Sequence, residues 1–187
     1  APGTSKRVVT SYSDRSPTRW YILDEEKKTI EEIGSSRPWL DGKLVEQRPF
    51  LFKTRDGLEI PGYYFLPKNY QPGTKLPTIM HIHGGPHARA DHWGRGFGYM
   101  EAQLCASRGY AVVVQDVRGR YASAGEFNAY RQEGQDGYDT IEWAAAQPWS
   151  NGAVGTFGLS YPGAVQWLAA MESPPHLKAM VPAMTFA

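Results

Sequence analysis

The sequence is poor in the features that mark several large protein classes. It has one cysteine, Cys105, in 187 residues, which excludes an internal disulfide framework. That cysteine falls on the apolar side of a helical stretch, where a buried, unreactive thiol is the expectation rather than a nucleophile. Nowhere do 18 apolar residues run together, so the sequence contains no transmembrane helix. The formal net charge is only +1, too little to hold nucleic acid or a membrane surface by bulk electrostatics. The opening Ala1-Pro2-Gly3 has neither the charged nor the apolar region of a signal peptide. A signal already removed, or a domain taken from a longer chain, would read the same way. Internal repeats and low-complexity tracts are absent. A cytoplasmic setting is favoured, with a periplasmic or secreted one left open.

What is present is an ordinary globular composition, long enough for one sizeable domain. Lys6–Ser11, Arg19–Leu23 and Thr29–Ile33 read as three short strands separated by polar turns. Such a meander buries too little surface to stand alone. It is either a decorated hairpin or the last piece of a larger all-β domain, with Arg37–Gly42 as a linker. From Arg48 the texture changes. Arg48–Lys53 and Leu58–Leu66 read as strands joined at Asp56-Gly57, and Pro61 points to an edge position for the second. Strands at Pro77–His83, Ala111–Gln115, Ala153–Phe157 and Lys178–Val181 then alternate with helices at Tyr99–Arg108, Asp136–Gln147 and Tyr161–Met171. That order predicts an α/β layer fold with a mostly parallel sheet, preceded by the short β-meander. Ligands in such sheets sit at the carboxyl ends of the strands.

The stretch Val154–Gly163 carries the strongest chemical signal. A buried strand runs into Gly158-Leu159-Ser160, and Tyr161-Pro162-Gly163 opens a helix. A serine on a sharp strand-to-helix turn has its Oγ pushed out at the sheet edge, with small neighbours required by the tight turn. The helix behind it aims free N–H groups at any negative charge forming there. The G-x-S-x-G pattern wants glycine where Pro162 stands, but proline is tolerated in a first helical turn. A glycine-flanked serine opening a helix is also, in the plain case, only an N-cap.

A second motif, His81-Ile82-His83-Gly84-Gly85-Pro86-His87, follows the third strand of the α/β region. Its glycines leave N–H groups facing the strand-end crevice. Acyl transfer needs two donors on the oxygen of its tetrahedral intermediate, and losing one costs about 10²–10³ in rate. The N–H of Tyr161 and one from the Gly84-Gly85 loop fall where these are needed. His81, His83, His87 and His92, with Asp91, also admit a zinc reading. Against it, Gly84-Gly85-Pro86 occupies the places where further ligands would follow, and imidazoles bonded to backbone groups are the commoner outcome.

Together these residues resemble the prolyl oligopeptidase family of serine peptidases, most nearly its acylaminoacyl-peptidase branch. Val8–Pro17 and Arg19–Asp24 are similar to a final propeller blade, and Arg55–Gly62 to the first hairpin of the catalytic domain. Arg118–Phe127, Asp136–Trp143, Gln147–Gly152 and Gly158–Gly163 look more like the X-prolyl dipeptidyl-peptidase and cocaine-esterase relatives. The resemblance implies an α/β-hydrolase fold in residues 37–187 after a blade in 1–36. It implies Ser160 as nucleophile, Gly85 and Tyr161 as oxyanion-hole donors, and Tyr161 as a pocket wall. Arg118 matches an Arg-Gly loop near the site; a structural arginine satisfying loop carbonyls and Asp116 is the plainer reading than substrate contact. Trp143, Trp149 and Trp167 are expected in packing. No metal or organic cofactor is implied, the substrate would be a peptide or acyl-peptide, and nucleic acid and membrane are not expected as partners.

One requirement is unmet. A nucleophilic serine needs a base and an acid to orient it, in this fold in the order Ser, Asp/Glu, His. After Ser160 the chain offers only Glu172 and His176. Both follow a helix that carries them roughly 15 Å from its start, so they are expected at the surface. The partners would then come from the remainder of the hydrolase domain, either a further segment of the same chain or a second chain. Alone, these residues should be nearly inactive, since losing the base costs on the order of 10⁶ in kcat.

Overall fold

The computed structural model describes residues 5–83 and 98–186, which form two compact units, 1–44 and 45–187.

The first unit is a three-stranded antiparallel sheet in the order β1 (Lys6–Ser13), β2 (Ser16–Asp24), β3 (Thr29–Ser35). Val8, Ile30 and Ile33 are exposed on it, so these apolar side chains are not covered within the sheet. The expected linker contains a single 3-10 turn at Pro38–Leu40 and belongs to this unit: Arg19 donates to Glu32 at 2.7 Å and also to Asp41.

The second unit is a six-stranded sheet in the order β4-β5-β7-β6-β8-β9, with β4 Arg48–Lys53, β5 Glu59–Phe65, β6 Leu76–His83, β7 Ala111–Asp116, β8 Ser150–Leu159 and β9 Leu177–Ala183. β4, β5 and β7 pair antiparallel, and β7, β6, β8 and β9 run parallel. Helices α1 (Tyr99–Ser107), α2 (Glu133–Ala145) and α3 (Tyr161–Met171) connect the parallel strands. Every residue of β7 is buried, and its side chains alternate between the layers as the pleat dictates. Val112 and Val114 pack with Phe65, Ala102 and Ala106 of the α1 layer; Ala111 and Val113 pack with Met80, Ile141 and Val165 of the α2–α3 layer.

Three details depart from expectation. β5 is an interior strand, not an edge. Pro61 is accommodated because the ladder with β7 begins only at Gly62, leaving β5 paired on one side at the proline. Helix α2 starts at Glu133, three residues earlier than expected, and runs through Gly134 and Gly137. Both glycines lie against α3: a Cβ on Gly137 would sit 2.6 Å from Ala169 Cβ, and one on Gly134 3.1 Å from the Leu168 carbonyl. Glycine at these two positions is therefore the condition for close helix–helix contact. Cys105 is half-buried rather than buried, and lines a groove of about 430 Å³ with Ile79, Tyr110, Phe157 and Val181 beside the outer strand β9.

α1 ends as expected at Gly109, which takes φ 94°. The N–H of Tyr110 donates to Cys105 O and that of Gly109 to Ala106 O, a Schellman closure. Trp149 stacks on Tyr64 and Trp143 on Phe50, at 5.6 and 4.3 Å between centroids. Among the described residues, no helix is long and apolar enough to cross a membrane.

Candidate active site

Ser160 sits between the last residue of β8 and the first of α3, with φ 63° and ψ −120°. A non-glycine residue held there costs about 1–3 kcal/mol and persists only where its surroundings dictate it. Those surroundings are specific. The Ser160 N–H donates to Ala183 O of β9 at 2.9 Å, and the Ser160 carbonyl accepts from Gly163 and Ala164 at 2.9 and 3.0 Å. The side chain faces solvent and, among the described residues, has no hydrogen-bond partner.

The flanking glycines have distinct reasons. A Cβ on Gly158 would lie 2.5 Å from Pro162 Cβ and 2.9 Å from Pro162 backbone. On Gly163 it would lie 3.0 Å from Ala183 O and 2.9 Å from Thr185. The glycine needed to bring α3 against β9 is thus Gly163, and Pro162 fits in the first turn of the helix before it. Beneath the turn, Gln166 is buried and bridges three elements. Its amide donates to Pro162 O at 3.0 Å, while its carbonyl oxygen accepts from Thr156 Oγ1 at 3.0 Å and from Val181 N at 3.2 Å.

Tyr161 opens α3, so its N–H is one of those a helix leaves unused. Its ring is 6% exposed and packs 4.9 Å from Tyr130, whose ring meets Phe186 edge-on at 5.6 Å. Tyr130 and Phe186 are both about half exposed, and so is Leu159. An aromatic wall with an apolar rim therefore stands around the turn that carries the serine. The Tyr161 hydroxyl donates to the buried carboxylate of Glu133. Burial, then this carboxylate, pushes the phenol well above its usual range, so it stays a proton donor.

Arg118 is buried and fully engaged. Its Nε and Nη2 donate to Asp136 at 2.9 and 2.6 Å, and Nη1 and Nη2 to Asp56 at 2.6 and 3.1 Å. It binds neither Asp116 nor open crevice; it fastens the β4–β5 turn to α2. Hydrogen bonds from Arg118 and Thr54 hold the Asp56 carboxyl well below the usual carboxylate range, while burial pulls Asp136 upward.

Gly85, His87, Asp91 and His92 lie outside the described residues, and with them the Gly-Gly donor. His81 is buried, its Nδ1 3.1 Å from Phe157 O, and burial lowers its pKa. Among the described residues, no group of three or more His, Cys, Asp or Glu is placed to hold a metal. His176 pairs with Glu142 on α2 at 2.6 Å, beyond the far end of α3 from Ser160, and Glu172 is exposed. Neither is in the serine's neighbourhood.

Tyr130, Glu133, Gln166 and Phe186 were not singled out by sequence reasoning. Glu133 meets Tyr161 across 28 residues, and Tyr130 owes its place to a left-handed φ of 63°. Neither carries a local motif.

Comparison with known proteins fits this geometry. Residues 56–187, well over half the chain, match the model for "X-Pro dipeptidyl-peptidase (S15 family)". The cocaine esterase of Rhodococcus sp. (strain MB1 Bresler) is 48% identical over 79 residues, 42% of this chain and 14% of that protein. Dipeptidyl aminopeptidase BIII of Pseudoxanthomonas mexicana is 32% identical over 173 residues, 84% of this chain and 24% of that protein. The chain thus spans no more than a quarter of the length of these relatives. A solved acylaminoacyl peptidase of Pyrococcus horikoshii superposes with a TM-score of 0.66 over 98% of this chain and 30% of its own, at 24% identity, a likeness of fold. The family match falls on the X-prolyl dipeptidyl-peptidase side of the two resemblances; the oligopeptidase side is supported as shared α/β-hydrolase architecture. The chain belongs to the X-Pro dipeptidyl-peptidase (S15) family of serine hydrolases.

Proposed function

We propose that this chain is the nucleophile-bearing part of a serine peptidase of the prolyl-oligopeptidase type. Ser160 Oγ attacks a peptide or acyl-peptide carbonyl, and the Tyr161 N–H, with one from Gly85, steadies the resulting oxyanion. Collapse expels the amine and leaves an acyl-enzyme, which water then cleaves. The observation that carries this reading is the backbone of Ser160: a strained conformation at a strand tip, fixed by three main-chain hydrogen bonds, presenting an exposed hydroxyl beside an unused helix N–H. The general base and its orienting acid come from the remainder of the hydrolase domain, a reading supported by the small share of two relatives that this chain covers, 14% and 24%. The 1–44 unit is the end of a propeller, a reading its exposed apolar residues support.

A second reading, an esterase or acylase of the cocaine-esterase kind, is favoured by the 48% identity to that enzyme. A non-catalytic binding module of the same fold is the third. Steady-state kinetics of the full-length protein separate them. Cleavage of X-Pro anilides with kcat/KM above that for short aryl esters supports the peptidase; the reverse order supports the esterase. No turnover of either supports the module.

A further inference from the structure

We infer that Glu133 is a positioning residue for the oxyanion hole, holding the Ser160–Tyr161 peptide in register through the Tyr161 hydroxyl. The inference rests on the serine-hydrolase reading above.

The direction of the Tyr161 N–H is set by two torsions, ψ of Ser160 and φ of Tyr161. The first of these, −120°, belongs to a residue in a disfavoured conformation. That peptide relaxes unless both of its ends are held. On the serine side, the bonds to Ala183, Gly163 and Ala164 hold it. On the tyrosine side the grip is at the tip of the ring, where the hydroxyl donates to Glu133 and the rings of Tyr130 and Phe127 flank it at 4.9 and 6.3 Å.

Glu133 is placed for this and for little else. A carboxylate in the first turn of a helix complements the helix dipole equally well from the surface. This one is 5% exposed, turned inward, with its second oxygen accepting from Gln132 N at 3.2 Å. Burying a carboxylate is unfavourable unless it is hydrogen-bonded, and the strong donor it meets is the tyrosine beside the nucleophile. Gly134 and Gly137, one and four residues further on, let α2 approach α3 closely enough for the contact. Hydrogen bonds weaken steeply with misalignment, and a donor to an oxyanion has its value from being aimed before charge develops. A small swing of the Tyr161 main chain is therefore felt in the transition state and hardly in substrate binding.

The test uses the full-length enzyme, with the variants E133A, E133Q, Y161F and E133A/Y161F, and a peptidyl boronic acid as tetrahedral probe. Expected are a kcat about 10- to 100-fold below wild type for E133A and Y161F at nearly unchanged KM, and boronate affinity weakened by a similar factor. E133Q, which keeps an acceptor, recovers part of the loss. The double variant is no worse than the single ones, because both act through one hydroxyl. Additive losses, a raised KM with unchanged kcat, or unaltered boronate affinity in folded Y161F would overturn the proposal. Labelling of Ser160 by a fluorophosphonate in the wild type separates the two levels. If the wild type fails to label, the serine-hydrolase reading falls and takes this proposal with it. If it labels while Y161F keeps full kcat, only the positioning role falls.

Discussion

The main-chain N–H of Ser160 donates to the carbonyl of Ala183 at 2.9 Å, so the turn bearing the serine is fastened to the outer strand β9 as well as to its own strand β8. Two adjacent parallel strands and one helix N-terminus thereby converge on a single residue. This convergence, rather than the serine's immediate sequence, holds the unfavourable torsions of Ser160.

Gly163 keeps that convergence tight. Gly163→Ala would place a Cβ 3.0 Å from Ala183 O and 2.9 Å from Thr185 Cγ2, prying α3 from β9. A destabilisation of about 1–3 kcal/mol is expected, together with slower labelling of Ser160 by a fluorophosphonate. Gly155→Ala, whose Cβ would meet nothing closer than 3.8 Å, is the control and should leave labelling intact. Denaturant melts and label kinetics on both variants check this.

Arg118 binds one buried and one half-exposed carboxylate. Arg118→Ala leaves Asp136 buried and unpaired, a loss of about 3–5 kcal/mol. Asp56→Asn removes only the outer partner and should cost about 1 kcal/mol or less. Arg118→Lys falls between, since an ammonium cannot reproduce the forked geometry. Chemical denaturation of the three variants ranks them; equal losses for Arg118→Ala and Asp56→Asn would contradict the assignment.

Burial lowers the pKa of His81 in the folded state, so the unfolded chain takes up a proton first as the medium is acidified. The stability contributed by neutral His81 is therefore complete above about pH 6.5, the unfolded value, and is lost as pH falls through the lower folded value. A series of Tm measurements between pH 7.5 and 5 should show wild type losing more stability than His81→Asn over that window. Parallel curves would contradict it.

Gln166 ties β8, α3 and β9 with one side chain. Gln166→Leu preserves bulk but strands the buried Thr156 hydroxyl, at about 1–3 kcal/mol, and releases the N–H of the exposed Val181 at a smaller cost. Adding Thr156→Val should return part of that loss, because it removes one of the stranded groups. Thermal melts of the single and double variants read this directly.

Much of the architecture was legible in the sequence because it is written in local terms. The Val112–Val114 run is buried on both faces, Gly109 ends α1 by a Schellman closure, and the alternation of strand and helix from Leu76 onward matches the parallel sheet. The strand-to-helix turn at Ser160 was legible for the same reason: it demands small neighbours on either side. The misreadings are tertiary in cause. The first turn of α2, from Glu133 to Gln135, lies ahead of the expected start at Asp136, and the reason for a glycine at 134 shows only where α3 packs against it. Pro61 looks like an edge marker until the β5–β7 ladder is seen to begin one residue later. Arg118 was placed with Asp116, its near neighbour in sequence, whereas its partners Asp136 and Asp56 lie 18 and 62 residues away. Glu133 and Gln166 were silent, since a buried polar residue declares its purpose only through the groups it meets.

The account stands on Ser160 being the nucleophile, and active-site labelling tests that most directly. The full-length protein, treated with a fluorophosphonate and digested, should show one equivalent of phosphonate on the peptide containing Ser160, with activity lost in parallel and no labelling of Ser160→Ala. Label on a different serine, or full activity in Ser160→Ala, would contradict it.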